Sequence, residues 1–331
     1  MKILFIFTGG TIGSTLHGET ISTDKKKPKE IIEAYRSKYG IDFSYTVEEP
    51  YTELSENNTG KHLKELCSSV ISNLHKDYDG IIVTHGTDTL QYSAAALGYT
   101  IGSDSIPICV VSANRPIEND RSNALDNLNS AVKFIQNSLG RGVFVPYRND
   151  ADDYTKIHRA TRLVSSRSFS DEVASIFDIS FGHFDKKFNY HKNDYYKENE
   201  DSITTLSISE IGAHSEDILF ISPYVGMDYP TLTSKTKYIL LDSYHSGTIN
   251  TKSAKALEFF SAAKALGIKI FITGISNAPE YESSTIFSEL GIIPLKNISP
   301  ISAYIKLWLL SSLGLDTEKY IESSLSGDIA P

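Results

Sequence analysis

The stretch that decides the fold is "ILFIFTGGTIGST", residues 3–15. Ile3 to Phe7 is apolar with β-forming residues and reads as a buried strand, which Gly9, Gly10 and Gly13 then break into a tight turn that bares its backbone. Glycines flanked by Thr8 and Thr11 at a strand end imply that something comes close to the main chain there.

Outward from this strand the chain alternates apolar runs with helix-period segments. "PKEIIEAYRSKY" (28–39) has Pro28 suited to a first helical turn, and "GKHLKELCSSVISNLH" (60–75) is a second helix. "GIIVTHG" (80–86) is a strand, "LQYSAAALGYTI" (90–101) a helix, and "IPICVVSA" (106–113), "DRSNALDNLNSAVKFIQNSL" (120–139) and "GVFVPYR" (142–148) continue the rhythm. It predicts an α/β fold, a doubly wound, mostly parallel sheet with helices on both faces, over residues 1–184. From Asp185 to Asp201, "DKKFNYHKNDYYKENED" is polar and dense in charge, and 185–213 reads as a linker. The rhythm then resumes on a smaller scale in 214–331, with strands in "DILFISPYVG", "KYILLDSYHSG" and "GIKIFITGIS" and helices in "TKSAKALEFFSAAKAL", "YESSTIFSEL" and "ISAYIKLWLLSSL". This predicts a smaller C-terminal α/β domain.

Composition bounds the chemistry. At 331 residues the chain is long enough for two domains with ordinary cores, and 40% hydrophobic with 22% charged residues is typical of a folded globular protein. Acidic residues outnumber basic ones 41 to 32, a formal charge of −9, which argues against a grip on nucleic-acid phosphates. The two cysteines, Cys67 and Cys109, make no disulfide framework or zinc pattern and read as core residues. The apolar run after Met1 stops at five residues, short of a secretory h-region of roughly 7–15. No run reaches membrane-spanning length. Cytoplasmic residence without membrane attachment is the expectation.

In open α/β sheets ligands bind beyond the carboxyl ends of strands. Two segments put threonines there: "FTGGTIGST", and "IIVTHGTDTL" with Thr87, Asp88 and Thr89. Each has a plain structural reading, the first as a flexible turn and the second as a helix N-cap. Neither is a Walker A loop or a dinucleotide turn, which removes the phosphate-cradle reading.

Together, "TGGTIGST" and "VTHGTDT" resemble the L-asparaginase family, with its asparaginase/glutaminase relatives and in particular its cytoplasmic type. "VVSANRPIEND" (110–120) and "LGIIPLKNISPISAYIKLWLLSSLG" (290–314) extend the resemblance in order through most of the chain. It implies that Thr11 attacks a side-chain amide to form an acyl-enzyme, with Thr87 beside it and a lysine and an acid completing the proton path. A threonine hydroxyl is a weak nucleophile until a neighbour takes its proton, so such a constellation is what the chemistry requires. Asp88 matches the carboxylate that holds the substrate α-ammonium. In "ELSENNTGKHL" (53–63), Ser55 matches the residue gripping the α-carboxylate, and Glu56 falls near the α-amino group. A solvated loop is the plain alternative for both. Ala113 matches a position whose backbone carbonyl faces the side-chain amide.

The chain departs from the family at three places. Across "TRLVSSRSFSDEVASIF" (161–177), the lysine position falls on Arg167 counting back from Phe177, or on Ser165 counting forward from Thr161; neither is a lysine. An arginine cannot serve as a neutral base. If buried beside Thr87, Arg167 needs a carboxylate such as Asp88 or Glu172. Lys156 reads as a solvated lysine. The lid segment "STLHGETISTDKKK" (14–27) lacks the tyrosine that many relatives carry; Thr20 stands about where it would, with His17 and Ser22 as substitutes. "LDSYHSGTIN" (241–250) resembles the segment that reaches a neighbouring subunit's site, with Thr248 at the family's asparagine position and His245 beside it as a structural histidine.

The expected function is therefore hydrolysis of L-asparagine to L-aspartate and ammonia by a homodimer or homotetramer, with no cofactor and no metal. A glutaminase or other amide hydrolase, and a catalytically weakened amino-acid-binding protein, are the alternatives.

Overall fold

The computed structural model describes residues 1–10, 14–17, 20–23, 27–40, 42–102, 105–196, 205–278 and 281–331; for 14–17, 20–23 and 27 only the backbone is described. The elements are β1 (Lys2–Phe7), β2 (Ser14–His17), β3 (Thr20–Thr23), α1 (Lys27–Tyr39), β4 (Ser44–Glu48), α2 (Gly60–Asn73), β5 (Gly80–Thr84), α3 (Leu90–Ile101), β6 (Pro107–Val111), α4 (Ala124–Gln136), β7 (Gly142–Tyr147), β8 (Thr155–Arg159), β9 (Gly182–Phe184) and β10 (Tyr190–Lys192). There follow β11 (Ile218–Ile221), β12 (Tyr238–Leu241), α5 (Ala254–Ala265), β13 (Lys269–Ile275), β14 (Ile292–Lys296), α6 (Pro300–Ser312) and α7 (Thr317–Ile321).

The large sheet has the order β10-β9-β8-β7-β6-β5-β1-β4, parallel from β4 through β7 and antiparallel beyond. The second sheet, β11-β12-β13-β14, is parallel throughout. Strands β1, β5 and β6 are apolar on both faces because helices cover both: Leu4, Ile6 and Val83 pack into one buried cluster with α2, α3 and α6, and Ile3, Phe5 and Ile82 into another with α1 and α4. Cys67 and Cys109 sit in these clusters as free thiols, and burial pushes the Cys67 thiol up to about 12.

Two expectations need correction. The segment 185–213 is not a bare linker in its described part. The Asp185 carboxylate accepts from the backbone N–H groups of Lys187 (2.8 Å) and Asn189 (2.9 Å), an Asx-type turn that folds β10 back on β9. Tyr190 packs on Phe184, and Leu206, Ile208 and Ile211 enter the core. Strands of three residues are too short to show a period against so much charge. The helix expected at 281–290 is a run of turns. Thr285 Oγ1 bonds the local carbonyl of Glu282 (2.8 Å), Ser284 Oγ reaches the distant Gly247 O, and the main chain closes i to i+3 bonds such as Ser284 N to Tyr281 O instead.

The C-terminal tail is pinned beneath the large sheet. Lys306 Nζ lies 2.9 Å from the Asp328 carboxylate with both side chains wholly buried, and Tyr99 OH donates to the same oxygen (2.9 Å). The tail's carbonyls receive Thr161 Oγ1 at Ser326 (2.9 Å) and Arg162 Nε at Gly327 (2.6 Å). Residues 160–162, which lead into the loop before β9, are thereby fixed from below.

His158 on β8 is buried, with Nδ1 2.8 Å from Ser175 Oγ and no partner at Nε2 among the described residues. Burial, then the Lys156 charge, lower its pKa from 6.5 to about 3. The unfolded chain takes up this proton near 6.5 and the folded chain resists it, so the contribution of neutral His158 is present above 6.5 and lost as pH falls toward about 3. Stability should drop by about 2 kcal/mol from this group between about pH 7 and pH 5. Urea-unfolding midpoints against pH check this: His158→Gln should flatten the acid limb, and an unchanged slope would refute it.

Candidate active site

In the large sheet β1 lies between β4 and β5, so the chain leaves β1 toward one edge and returns through α2 to its other side. This reversal opens a crevice at the carboxyl ends of β1 and β5, the place where such sheets bind ligands. Thr8 closes it at the base by donating Oγ1 to Thr84 O (2.7 Å).

What comes close to the glycine turn is first of all other main chain. Glu53 N donates to Thr8 O and Gly10 N to Glu53 O, both at 3.1 Å. Gly9 and Gly10 have φ of +96° and +75°; a Cβ on Gly9 would lie 2.4 Å from Glu53 O, and one on Gly10 2.1 Å from Gly86 N. Only glycine meets both demands. Loops 8–10 and 53–58 are thus joined backbone to backbone, and loop 84–89 packs on them through Gly86 and the hydroxyls of Thr8 and Thr89.

Ser55 opens the one-turn helix at 55–57 and is buried, and its Oγ has no hydrogen-bond partner among the described residues. A Cβ on Gly86 would lie 2.5 Å from that oxygen. Thr89 Oγ1 holds the turn by donating to Ser55 O (2.8 Å). Glu56, one residue on, is exposed. Thr87 is half-buried and Asp88 exposed, both just ahead of α3. Ala113 is buried after β6, in a loop braced by Asn114 N to Asn123 Oδ1 (2.9 Å) and Asn127 Nδ2 to Ser112 O (2.9 Å).

His85 and Asn58 are site residues that the motif reading passed over. His85 Nδ1 is 2.8 Å from Gly86 O, and Asn58 Nδ2 is 3.3 Å from His85 Nε2. Burial lowers the His85 pKa against the opposing pull of Gly86 and Asp88. The neutral ring therefore donates through Nδ1 and accepts at Nε2, a tautomer inferred from these partners. The only sign of Asn58 in the sequence is its place three residues after Ser55, in the loop for which a solvated reading was the alternative.

Other expected residues fall elsewhere. Thr11 lies outside the described residues. Thr20 belongs to β3 and pairs with His17 across the β2–β3 hairpin, where Ser22 faces Thr15; the lid segment is a hairpin in its described part. Arg167 is not buried beside Thr87: it is exposed, as are Ser165 and Glu172. The chain pairs Leu163 with Ser175 and closes Val164 N on Ala174 O, so the intervening residues loop outward. Lys156 is not solvated: its side chain is 12% exposed and ion-paired to Asp178 (3.0 Å) and Asp152 (3.9 Å). Burial works to lower its pKa, but these carboxylates carry it above the ordinary lysine value, so it stays protonated. Thr248 sits in a tight turn after β12, its carbonyl accepting from Tyr244 N (2.9 Å), and His245 is exposed. No hydrogen bond or ion pair joins Arg167 or Thr248 to the three loops among the described residues.

A family model described as the N-terminal region of asparaginase matches residues 2–195. The chain belongs to the asparaginase family. Its sequence relatives include a glutamyl-tRNA(Gln) amidotransferase subunit of Sulfolobus acidocaldarius, 28% identical over 99% of this chain and 75% of that protein. The corresponding subunit of Sulfurisphaera tokodaii is 26% identical over 94% and 70%. Structural neighbours are the thermostable L-asparaginase from Thermococcus kodakarensis, at TM-score 0.78 and 20% identity with both chains covered in full, and a probable cytoplasmic L-asparaginase from Campylobacter jejuni, at 0.70 and 22% over 97% and 98%. These confirm the family's fold, a large mostly parallel sheet with a smaller parallel one. No helix among the described residues is long and apolar enough to cross a membrane.

Proposed function

We propose that this asparaginase-family chain hydrolyses the side-chain amide of a small amino acid, L-asparagine to L-aspartate and ammonia. The observation that carries the reading is Ser55 Oγ: a buried hydroxyl without a partner among the described residues, set against Gly86 between the two threonine-bearing turns. Leaving such a group unpaired costs about 1–3 kcal/mol, a cost a bound carboxylate would offset. Asp88, exposed at the mouth, takes the α-ammonium, and Ala113 O orients the amide. Thr11 Oγ bonds to the amide carbon as ammonia leaves with a proton, and water then cleaves the ester to release aspartate and restore the hydroxyl. Thr87 positions the proton path. Homodimers or homotetramers in which Thr248 completes a neighbour's site, and a cytoplasmic setting, belong to the same proposal.

One observation favours a second reading, an amino-acid-binding protein of weak activity. Both positions that could carry the family lysine, Ser165 and Arg167, are exposed, and Lys156 is held as a cation by two carboxylates. Glutamine is the alternative substrate, in keeping with relatives named as amidotransferase subunits. Ammonia release from asparagine and glutamine, measured on the purified protein beside calorimetric binding of both, separates these readings. Release from asparagine above that from glutamine is expected. Binding without release would establish the second reading, and neither binding nor release would overturn both.

A further inference from the structure

A cavity of about 450 Å³ lies between the starts of α2 and α3 and the face of α6. That volume suits a small organic ligand, within the range of about 300–1,000 Å³ usual for such sites. Three aromatic rings wall it: Tyr92 meets Tyr304 edge-on with centroids 6.1 Å apart, and Tyr304 lies 5.8 Å from Trp308. Among the described residues no Asp, Glu, Lys or Arg lines it. The one imidazole in the lining, His214, is exposed, so an ionic ligand would surrender hydration there with no buried counter-charge.

Two of its lining residues, Ser93 and Asn58, each carry a polar atom without a partner among the described residues. Ser93 is wholly buried, and its Oγ bonds to nothing among the described residues. Asn58 Oδ1 is likewise buried and unpaired, while Asn58 Nδ2 is engaged by His85 and Thr89. One of these atoms is a free acceptor and the other a hydroxyl able to donate. A primary carboxamide answers both, its N–H to Asn58 Oδ1 and its carbonyl to Ser93 Oγ. Electron-rich phenol and indole faces favour an electron-poor ring between them.

We propose that this cavity is a binding site for a small, neutral, planar aromatic carboxamide. It lies next to the candidate active site, with which it shares Asn58 and Thr89, but its occupancy is independent of whether the chain hydrolyses amides.

Trp308 is the only tryptophan of the chain, so its emission reports the cavity directly. Nicotinamide, an uncharged electron-poor carboxamide that quenches indole on contact, is the probe. Titrated into the full-length protein, it should quench to saturation. Ser93→Ala, which removes an unpaired hydroxyl and should leave folding intact, should raise the dissociation constant by roughly five- to tenfold. Tyr92→Leu, which removes one wall, should weaken it at least as much. Linear, unsaturable quenching would mean collisional access only and overturns the proposal. Saturable quenching unchanged in both variants would place the probe elsewhere and overturns it equally.

Discussion

Thr11→Ala should abolish turnover, lowering kcat by at least about three powers of ten, while binding of the amino acid should stay within a few-fold, if Thr11 is the nucleophile as proposed. The split follows from where the parts sit. The residue before Thr11 in the sequence, Gly10, has its amide tied to Glu53 O and its Cα against Gly86, contacts that a side-chain truncation at position 11 does not touch. Ser55, the hydroxyl proposed to bind the carboxylate, stands on another loop with its own bracing from Thr89. Removing the nucleophile therefore removes a bond made only on the path to the acyl-enzyme and leaves the ground-state contacts in place. Kinetics of ammonia release with calorimetry on the same variant check it. Retained turnover would refute the nucleophile assignment, and simultaneous loss of binding would mean that Thr11 belongs to the clamp.

The buried strands and the glycine turns at their carboxyl ends were legible because they rest on local signals. "ILFIF" followed by two glycines could only be a buried strand ending in a turn, and Gly86 after "IIVT" repeated the pattern one parallel strand away. The doubly wound, mostly parallel architecture followed from the alternation, but the order of its strands did not. What was not legible depends on loops closing over long sequence separations. Arg167 was placed by counting along an ungapped stretch, but the pairing of Leu163 with Ser175 throws the residues between them outward. Lys156 looked solvated because its partner Asp178 is 22 residues away. Asn58 and His85 meet across 27 residues, and neither carries a pattern that announces the other. Tyr190 and its three-residue strand were hidden by flanking lysines, since a period of two cannot be read over so short a run.

Gly86→Ala should weaken amino-acid binding by roughly 10- to 100-fold, the equivalent of losing one hydrogen bond to a charged group. Gly86 does not occupy the left-handed region, so alanine is conformationally admissible and the effect must come from space. That space is taken: the new methyl would lie 2.5 Å from Ser55 Oγ and 2.7 Å from Ser55 Cβ, with Gly10 Cα at 3.2 Å behind. Rotating the hydroxyl away does not relieve the clash with Ser55 Cβ, so the 53–58 loop must move and the serine leaves the crevice. Stability falls as well, by about 1–3 kcal/mol for overpacking in a buried site. Ser55→Ala separates the two effects. It removes a hydroxyl unpaired among the described residues of the unliganded protein, so stability should hold or rise while binding falls as in Gly86→Ala. Adding Ser55→Gly to Gly86→Ala frees the volume the methyl needs; much of the lost unfolding free energy should return, less the cost of a more flexible residue, and binding should not. Calorimetric affinities for asparagine and urea midpoints on the four proteins test the scheme. Full affinity in Ser55→Ala would remove Ser55 from the clamp, and loss of binding in Gly86→Ala would then have to be traced to the contact between the two glycine turns.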